Sequence, residues 1–164
     1  MRNILIDNFD NAYITARVYE PKDRLQIIQV IDFLCAENNW MSTEKFIPTL
    51  QWLHAFSETE CKLHFLLVAE YKGELVGWCR LFPEQCMHAE KQGELGIGLL
   101  SNYRNQKIGS SLLELAFKWA HNLGMKQIDL SVHNANRRAQ HLFTKFGFRY
   151  ISNNGDRFLM SASI

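Results

Sequence analysis

Residues 94–110, ELGIGLLSNYRNQKIGS, decide how this chain folds. An apolar stretch carrying Gly96 and Gly98 runs into a short polar segment with Arg104 and Lys107, which opens directly onto an apolar-periodic helix from Ile108. No acidic residue occurs between Glu94 and Glu114. Basic residues at a helix N-terminus oppose the macrodipole, at about 0.3–1 kcal/mol each. Their placement makes sense if an anion sits there, because the N–H groups of a first helical turn lack partners within the helix and form a ready phosphate site. Strand, basic loop and helix in that order read as the site of a phosphate-bearing cofactor.

On the N-terminal side of this stretch, residues 13–19 (YITARVY) alternate and are rich in β-formers, which predicts a strand. Pro21 opens a helical pattern in which Leu25, Ile28, Ile31 and Leu34 form a stripe widened by Ile27 and Val30. Ser42-Thr43-Glu44 reads as a cap before a second helix through Phe46, Leu50, Leu53 and His54. Residues 63–71 and 75–82 read as strands joined by a hairpin turn at Lys72-Gly73-Glu74. Residues 83–93 read as a polar loop, and 95–100 as a third apolar strand.

On the C-terminal side, residues 108–123 predict a strongly apolar helix that ends with Gly124 as its C′ residue. Ile128, Leu130 and Val132 alternate as a strand. Ala139, Leu142, Phe143 and Phe146 stand at i, i+3, i+4 and i+7, a helix that Gly147 stops. Residues 148–151 and 157–160 read as a closing strand pair across Asn153-Asn154-Gly155. The order β-α-α-β-β-β-α-β-α-β-β predicts an α/β fold, a mixed sheet with helices on both faces.

The bulk numbers narrow the class. A chain of 164 residues suits one domain over 1–164. Its 47% hydrophobic and 21% charged content is that of a soluble globular protein. A formal charge of +1 gives no reason to expect nucleic acid or an acidic membrane surface as partner. Cys35, Cys61, Cys79 and Cys86 show no CxxC spacing, so reduced thiols in a cytoplasmic protein are expected. The N-terminal apolar run is too short for a signal peptide, and no stretch approaches a membrane span. The six histidines show no HxxxH or HExxH spacing, so no metal site is expected. Trp40, Trp52 and Trp78 read first as core. No Gly-x-Ser-x-Gly elbow or Cys/His pairing suggests a covalent nucleophile.

Two segments together resemble the GNAT superfamily of N-acetyltransferases. Its Arg/Gln-x-x-Gly-x-Gly/Ala pattern stands at Arg104-Asn105-Gln106-Lys107-Ile108-Gly109, and a second pattern is matched by Val132, Asn136, Ala139, Leu142, Gly147 and Phe148. Lys107 replaces the usual first glycine, and Phe143 stands where a tyrosine is frequent. The resemblance implies a sheet splayed between its fourth and fifth strands, with acetyl-CoA wedged in the gap. It places the pantetheine arm on Ile97, Gly98 and Leu99, where the two glycines suggest a bulge or a close approach. It places the pyrophosphate on the N–H groups from Asn105 to Ser110, that is Asn105, Gln106, Lys107, Ile108, Gly109 and Ser110.

The same resemblance implies roles for single residues. Arg104 belongs to the cofactor motif. Asn136 is both a helix N-cap candidate and a cofactor contact. Glu94 lies where many members place the carboxylate that deprotonates the acceptor amine, a job that water can also do; the amine needs a base because its ammonium form cannot attack a carbonyl. A backbone N–H, that of Leu99, would hold the developing oxyanion. Phe143 sits at the cofactor but has no proton for the leaving thiolate, so water, Ser101 or Tyr103 would supply one. The acceptor is then a small-molecule or peptide amine, chosen by residues 21–59, and the exposed strand edge at the C-terminus would allow a homodimer. A non-catalytic acyl-CoA-binding module on the same fold, and a nucleotide enzyme, are the rival readings.

Overall fold

The computed structural model describes residues 4–9, 12–37, 40–57, 64–83 and 92–164. Lys72 and Gly73 take positive φ (51° and 85°), and this two-residue turn folds β3 (Phe65–Tyr71) back onto β4 (Glu74–Pro83). Around that hairpin lie β1 (Ile4–Phe9), β2 (Ala12–Val18), β5 (Gln92–Leu99), β6 (Gln127–His133), β7 (Arg149–Asn154) and β8 (Arg157–Ser163). The sheet has 8 strands in the order β1-β2-β3-β4-β5-β6-β8-β7. Every neighbouring pair is antiparallel except β5 and β6, which are parallel.

Alternation along the central strands divides the core in two. One face carries Leu66, Val68, Leu75, Trp78 and Phe82, packed under Ile27, Val30, Ile31 and Leu34 of α1 (Arg24–Ala36) and Trp52 and Phe56 of α2 (Leu50–Phe56). The other carries Leu67, Cys79, Leu81, Leu95, Ile128 and Leu130 under α3 (Ile108–Asn122) and Phe143 of α4 (Arg137–Lys145). Gly124 (φ 70°) and Gly147 (φ 86°) end α3 and α4 in the left-handed region, as their positions in the sequence predict.

Two elements differ from the sequence expectation. Residues 4–9 form β1, paired with β2, so the strands that the sequence counts as fourth and fifth are β5 and β6. The second helix spans only Leu50–Phe56; Ser42, Thr43 and Glu44 cap nothing. Pro48 disfavours helical backbone at Ile47, and Thr49 is still extended (φ −74°, ψ 171°). The segment before it is anchored to α1 instead, Phe46 donating its N–H to Asp32 Oδ1 at 2.8 Å. Among the described residues no helix is long and apolar enough to cross a membrane.

Candidate active site in the split sheet

β5 and β6 pair only at Gln92↔Gln127, Gly93↔Ile128 and Glu94↔Asp129. Beyond that point β5 stays on β4 as far as Gly77↔Leu99, and β6 stays on β8 as far as His133↔Arg157. The two strands therefore part in a V that opens toward Leu99 and His133.

The hydrogen-bonding groups facing the V follow from the ladder. Leu100 donates its N–H to the Val76 carbonyl at 3.0 Å, and antiparallel pairs alternate between bonded and non-bonded. Gly98 and Gly96, opposite Trp78 and Arg80, thus turn their N–H and C=O groups to β4, while those of Leu95, Ile97 and Leu99 point into the split. Ile97 and Leu99 can present backbone groups to a ligand there; the Gly98 backbone is engaged by β4.

The bulge expected from Gly96 and Gly98 is not there: the register runs unshifted from Gly77↔Leu99 to Pro83↔Gly93. These glycines make room for side chains from the next strand and from α1. A Cβ on Gly98 would lie 2.7 Å from Leu34 Cδ1 and 2.8 Å from Trp78 Nε1, and one on Gly96 would lie 2.8 Å from Arg80 Nε. The unpaired groups come from the parting of the strands.

At the mouth of the V, a single 3-10 turn at Ser101–Tyr103 leads to Arg104 and then to two left-handed residues, Asn105 (φ 64°) and Lys107 (φ 60°). Left-handed turns of this kind draw successive N–H groups to one side and make anion-binding concavities. Ser111 is the first residue to close a helical bond, donating to the Lys107 carbonyl at 3.1 Å. The N–H groups of Ile108, Gly109 and Ser110 are thus left at the positive end of α3. Gly109 is buried, and a Cβ there would meet Leu142 Cδ2 at 3.3 Å and Leu99 Cδ1 at 3.7 Å. Its bareness lets α3 start close against α4 and β5.

The Arg104 side chain does not reach out to solvent. Its Nε donates to the Leu99 carbonyl at 2.8 Å and its Nη2 to Glu37 Oε2 at 2.5 Å. Asn136 caps α4, its Oδ1 accepting the Ala139 N–H at 3.1 Å. Burial pushes the Arg138 guanidinium down, and the charge of Arg104 adds to this against the opposing Glu37. Phe143 is 6% exposed and its ring meets Phe148 at 5.7 Å, so it is part of the core. Ser101 is exposed, and Tyr103 packs its ring against Tyr71.

Glu94 stands at the point of the V, opposite Asp129, on the α1/α2 face of the sheet. Its Oε1 accepts from Arg80 Nη2 at 2.6 Å. Arg80 lies over the rings of Phe82 and Trp52, which fixes its position. Asp129 accepts from Gln92 Nε2 at 2.6 Å and Gln127 Nε2 at 2.9 Å. Trp52 and Trp78 are core; Trp40 is half-buried, its ring edge-on to His133. Sequence reasoning did not single out Arg80, Asp129 or Glu37 as partners. Nothing local marks them, because each pair is joined only by strand register or helix packing. Cys61, Cys86 and His88 lie outside the described residues.

The family model for the acetyltransferase (GNAT) family matches residues 26–148, three quarters of the chain, including β5, the turn and α3. The chain belongs to the GNAT family. No curated protein sequence matches it. Solved structures share its fold. A GNAT-family acetyltransferase of Streptococcus pneumoniae is 24% identical, with TM-score 0.80, over 92% of this chain and 99% of its own. The yncA protein of Salmonella typhimurium, solved with its cofactor acetyl-CoA, is 14% identical, with TM-score 0.77, over 92% of this chain and 93% of its own. An N-acetyltransferase of Thermoplasma acidophilum in complex with coenzyme A is 20% identical, with TM-score 0.66, over 92% and 99%. This GNAT chain shares its overall fold with all three.

Proposed function

We propose that this protein is an N-acetyltransferase that moves an acetyl group from acetyl-CoA to a primary amine by direct attack. One observation carries the reading: the split between β5 and β6 opens onto unpartnered amides at the start of α3. The residues suit an elongated amide-bearing ligand that ends in a diphosphate. Ile97 and the Leu99 N–H face the split, the amides of Ile108, Gly109 and Ser110 suit phosphate, and the turn of Asn105, Gln106 and Lys107 adds its own N–H groups. Asn136 retains its Nδ2 for the same ligand, since only Oδ1 serves the cap. Acetyl-CoA supplies an acyl group activated as a thioester.

The chain's own groups divide the remaining work. With Glu94 Oε1 held by Arg80, Oε2 is left to take a proton from the acceptor ammonium, which at a typical alkylamine pKa of about 10.4 is protonated near neutrality. The Leu99 N–H, aimed into the split, is the donor for the acyl oxygen. Holding amine and thioester together removes much of the entropic barrier. No acid is assigned to Phe143. A thiol with pKa about 8.5 is a tolerable leaving group, and water, Ser101 or Tyr103 can protonate it.

An acceptor panel with acetyl-CoA, read by free thiol release, tests this directly. Turnover with at least one amine is expected, and E94Q is expected to lower kcat by about 10²-fold or more if Glu94 is the base. The core position of Phe143 favours one rival, a module that binds acyl-CoA without transferring the group. Coenzyme A binding with no thiol release across the panel would select it. No binding of acetyl-CoA at millimolar concentration would reject both.

A further inference from the structure

Arg104 stands first in the turn that leads to α3, yet its guanidinium is turned back into the protein. Nε bonds the Leu99 carbonyl and Nη2 the Glu37 carboxylate, and both side chains of this pair are only 16% exposed. Glu37 is the residue that ends α1, 67 positions away in the chain. The Leu99 carbonyl is one of the groups released by the parting of β5 and β6, and Arg104 is what satisfies it.

We propose that Glu37 is a positioning residue for the cofactor turn: its carboxylate holds the Arg104 guanidinium on the Leu99 carbonyl and so fixes the end of β5 relative to the amides that open α3. This rests on the reading of that turn as the acetyl-CoA site. A two-bond clamp of this kind needs the guanidinium fork, which presents donors in a fixed geometry that lysine lacks. It also ties α1, on the acceptor face, to the loop on the cofactor side. Arg104 then acts through Leu99 and through the shape of the turn, and does not itself hold a phosphate.

Glu37 separates these two roles for Arg104. If Arg104 bound phosphate directly, removing Glu37 would free it and delete a negative charge, and binding would hold or tighten. If Glu37 positions Arg104, removal loosens the turn. Calorimetric titration with coenzyme A alone is expected to show E37A about tenfold weaker, the scale of losing a charged hydrogen bond. E37Q, which keeps an acceptor oxygen, should stay within about twofold, and E37K should be weaker still although it adds positive charge near a polyanion. E37A with R104A should be no worse than R104A alone, because the pair acts as a unit. In turnover, KM for acetyl-CoA should rise in E37A with kcat retained. Equal or tighter binding by E37A or E37K, each with a native melting transition, overturns the proposal. Wild-type protein that fails to bind coenzyme A would instead overturn the assignment of the site.

Discussion

Lys107 stands where the family motif usually has its first glycine, and the backbone shows what that replacement costs. Its φ of 60° lies where a β-carbon crowds the carbonyl, at a cost of about 1–2 kcal/mol, and where glycine is at ease. Lysine still supplies the N–H at this position, which is all that the proposed cofactor site asks of it. K107G should therefore raise stability by about 1 kcal/mol, or about 2–4 °C in melting temperature for a chain of this size. A lower melting temperature would mean that the lysine side chain makes a contact worth more than the strain. Gly96 and Gly98 carry a different lesson at the same scale. Their presence in a strand was legible, but the reason lay elsewhere in the fold, in Arg80 and Trp78 of the neighbouring strand and Leu34 of α1.

Among elements, α4 shows how much a local pattern can specify. Its apolar spacing, the cap at Asn136 and the stop at Gly147 are all sequence-local, and all are realised. N136A should cost about 1 kcal/mol of stability through the lost cap alone. Coenzyme A titration of the same variant separates the roles: unchanged affinity leaves Asn136 as a cap, and weaker binding adds the ligand contact. The second helix shows the opposite. Ser42-Thr43-Glu44 is a sound cap sequence, but Pro48 prevents the helix from running through it and the Asp32 carboxylate takes the Phe46 N–H. β1 was legible as an apolar run, yet its role depends on a partner strand, which no local pattern announces.

At the scale of the whole molecule, a buried charge cluster joins the first helix to the sheet. Arg17 of β2 pairs with Asp23 (2.6 Å) at the start of α1 and with Glu70 (2.7 Å) of β3. Burial alone would raise the Asp23 carboxyl, but the Arg17 guanidinium and the Glu20 N–H outweigh it and hold the group below its ordinary 3.8. A carboxyl depressed in the folded state stabilises above its unfolded value and loses that contribution as pH falls through the folded value. D23A should cost about 3 kcal/mol at pH 7, since it strands Arg17 with one partner. The difference from wild type should shrink as pH drops below 3.8, measured by urea unfolding at a series of pH values. A gap that stays constant down to pH 2 would show that packing, not charge, is what Asp23 supplies.

The periodicities, glycine stops and two motifs were enough to determine the family, the mixed sheet, the buried faces of α3 and α4 and the turn that opens α3, whereas α2 buries Trp52 and Phe56 and exposes Leu50 and Leu53 of its expected stripe. These features are local, because they depend on which residues follow one another along the backbone. The tertiary structure alone decided that Ile97 and Leu99, but not Gly98, turn their backbone groups into the gap, and that Arg104 is clasped by Glu37 while Glu94 is held by Arg80. Those partnerships join distant positions through strand register and helix packing, and register and packing exist only once the chain has folded.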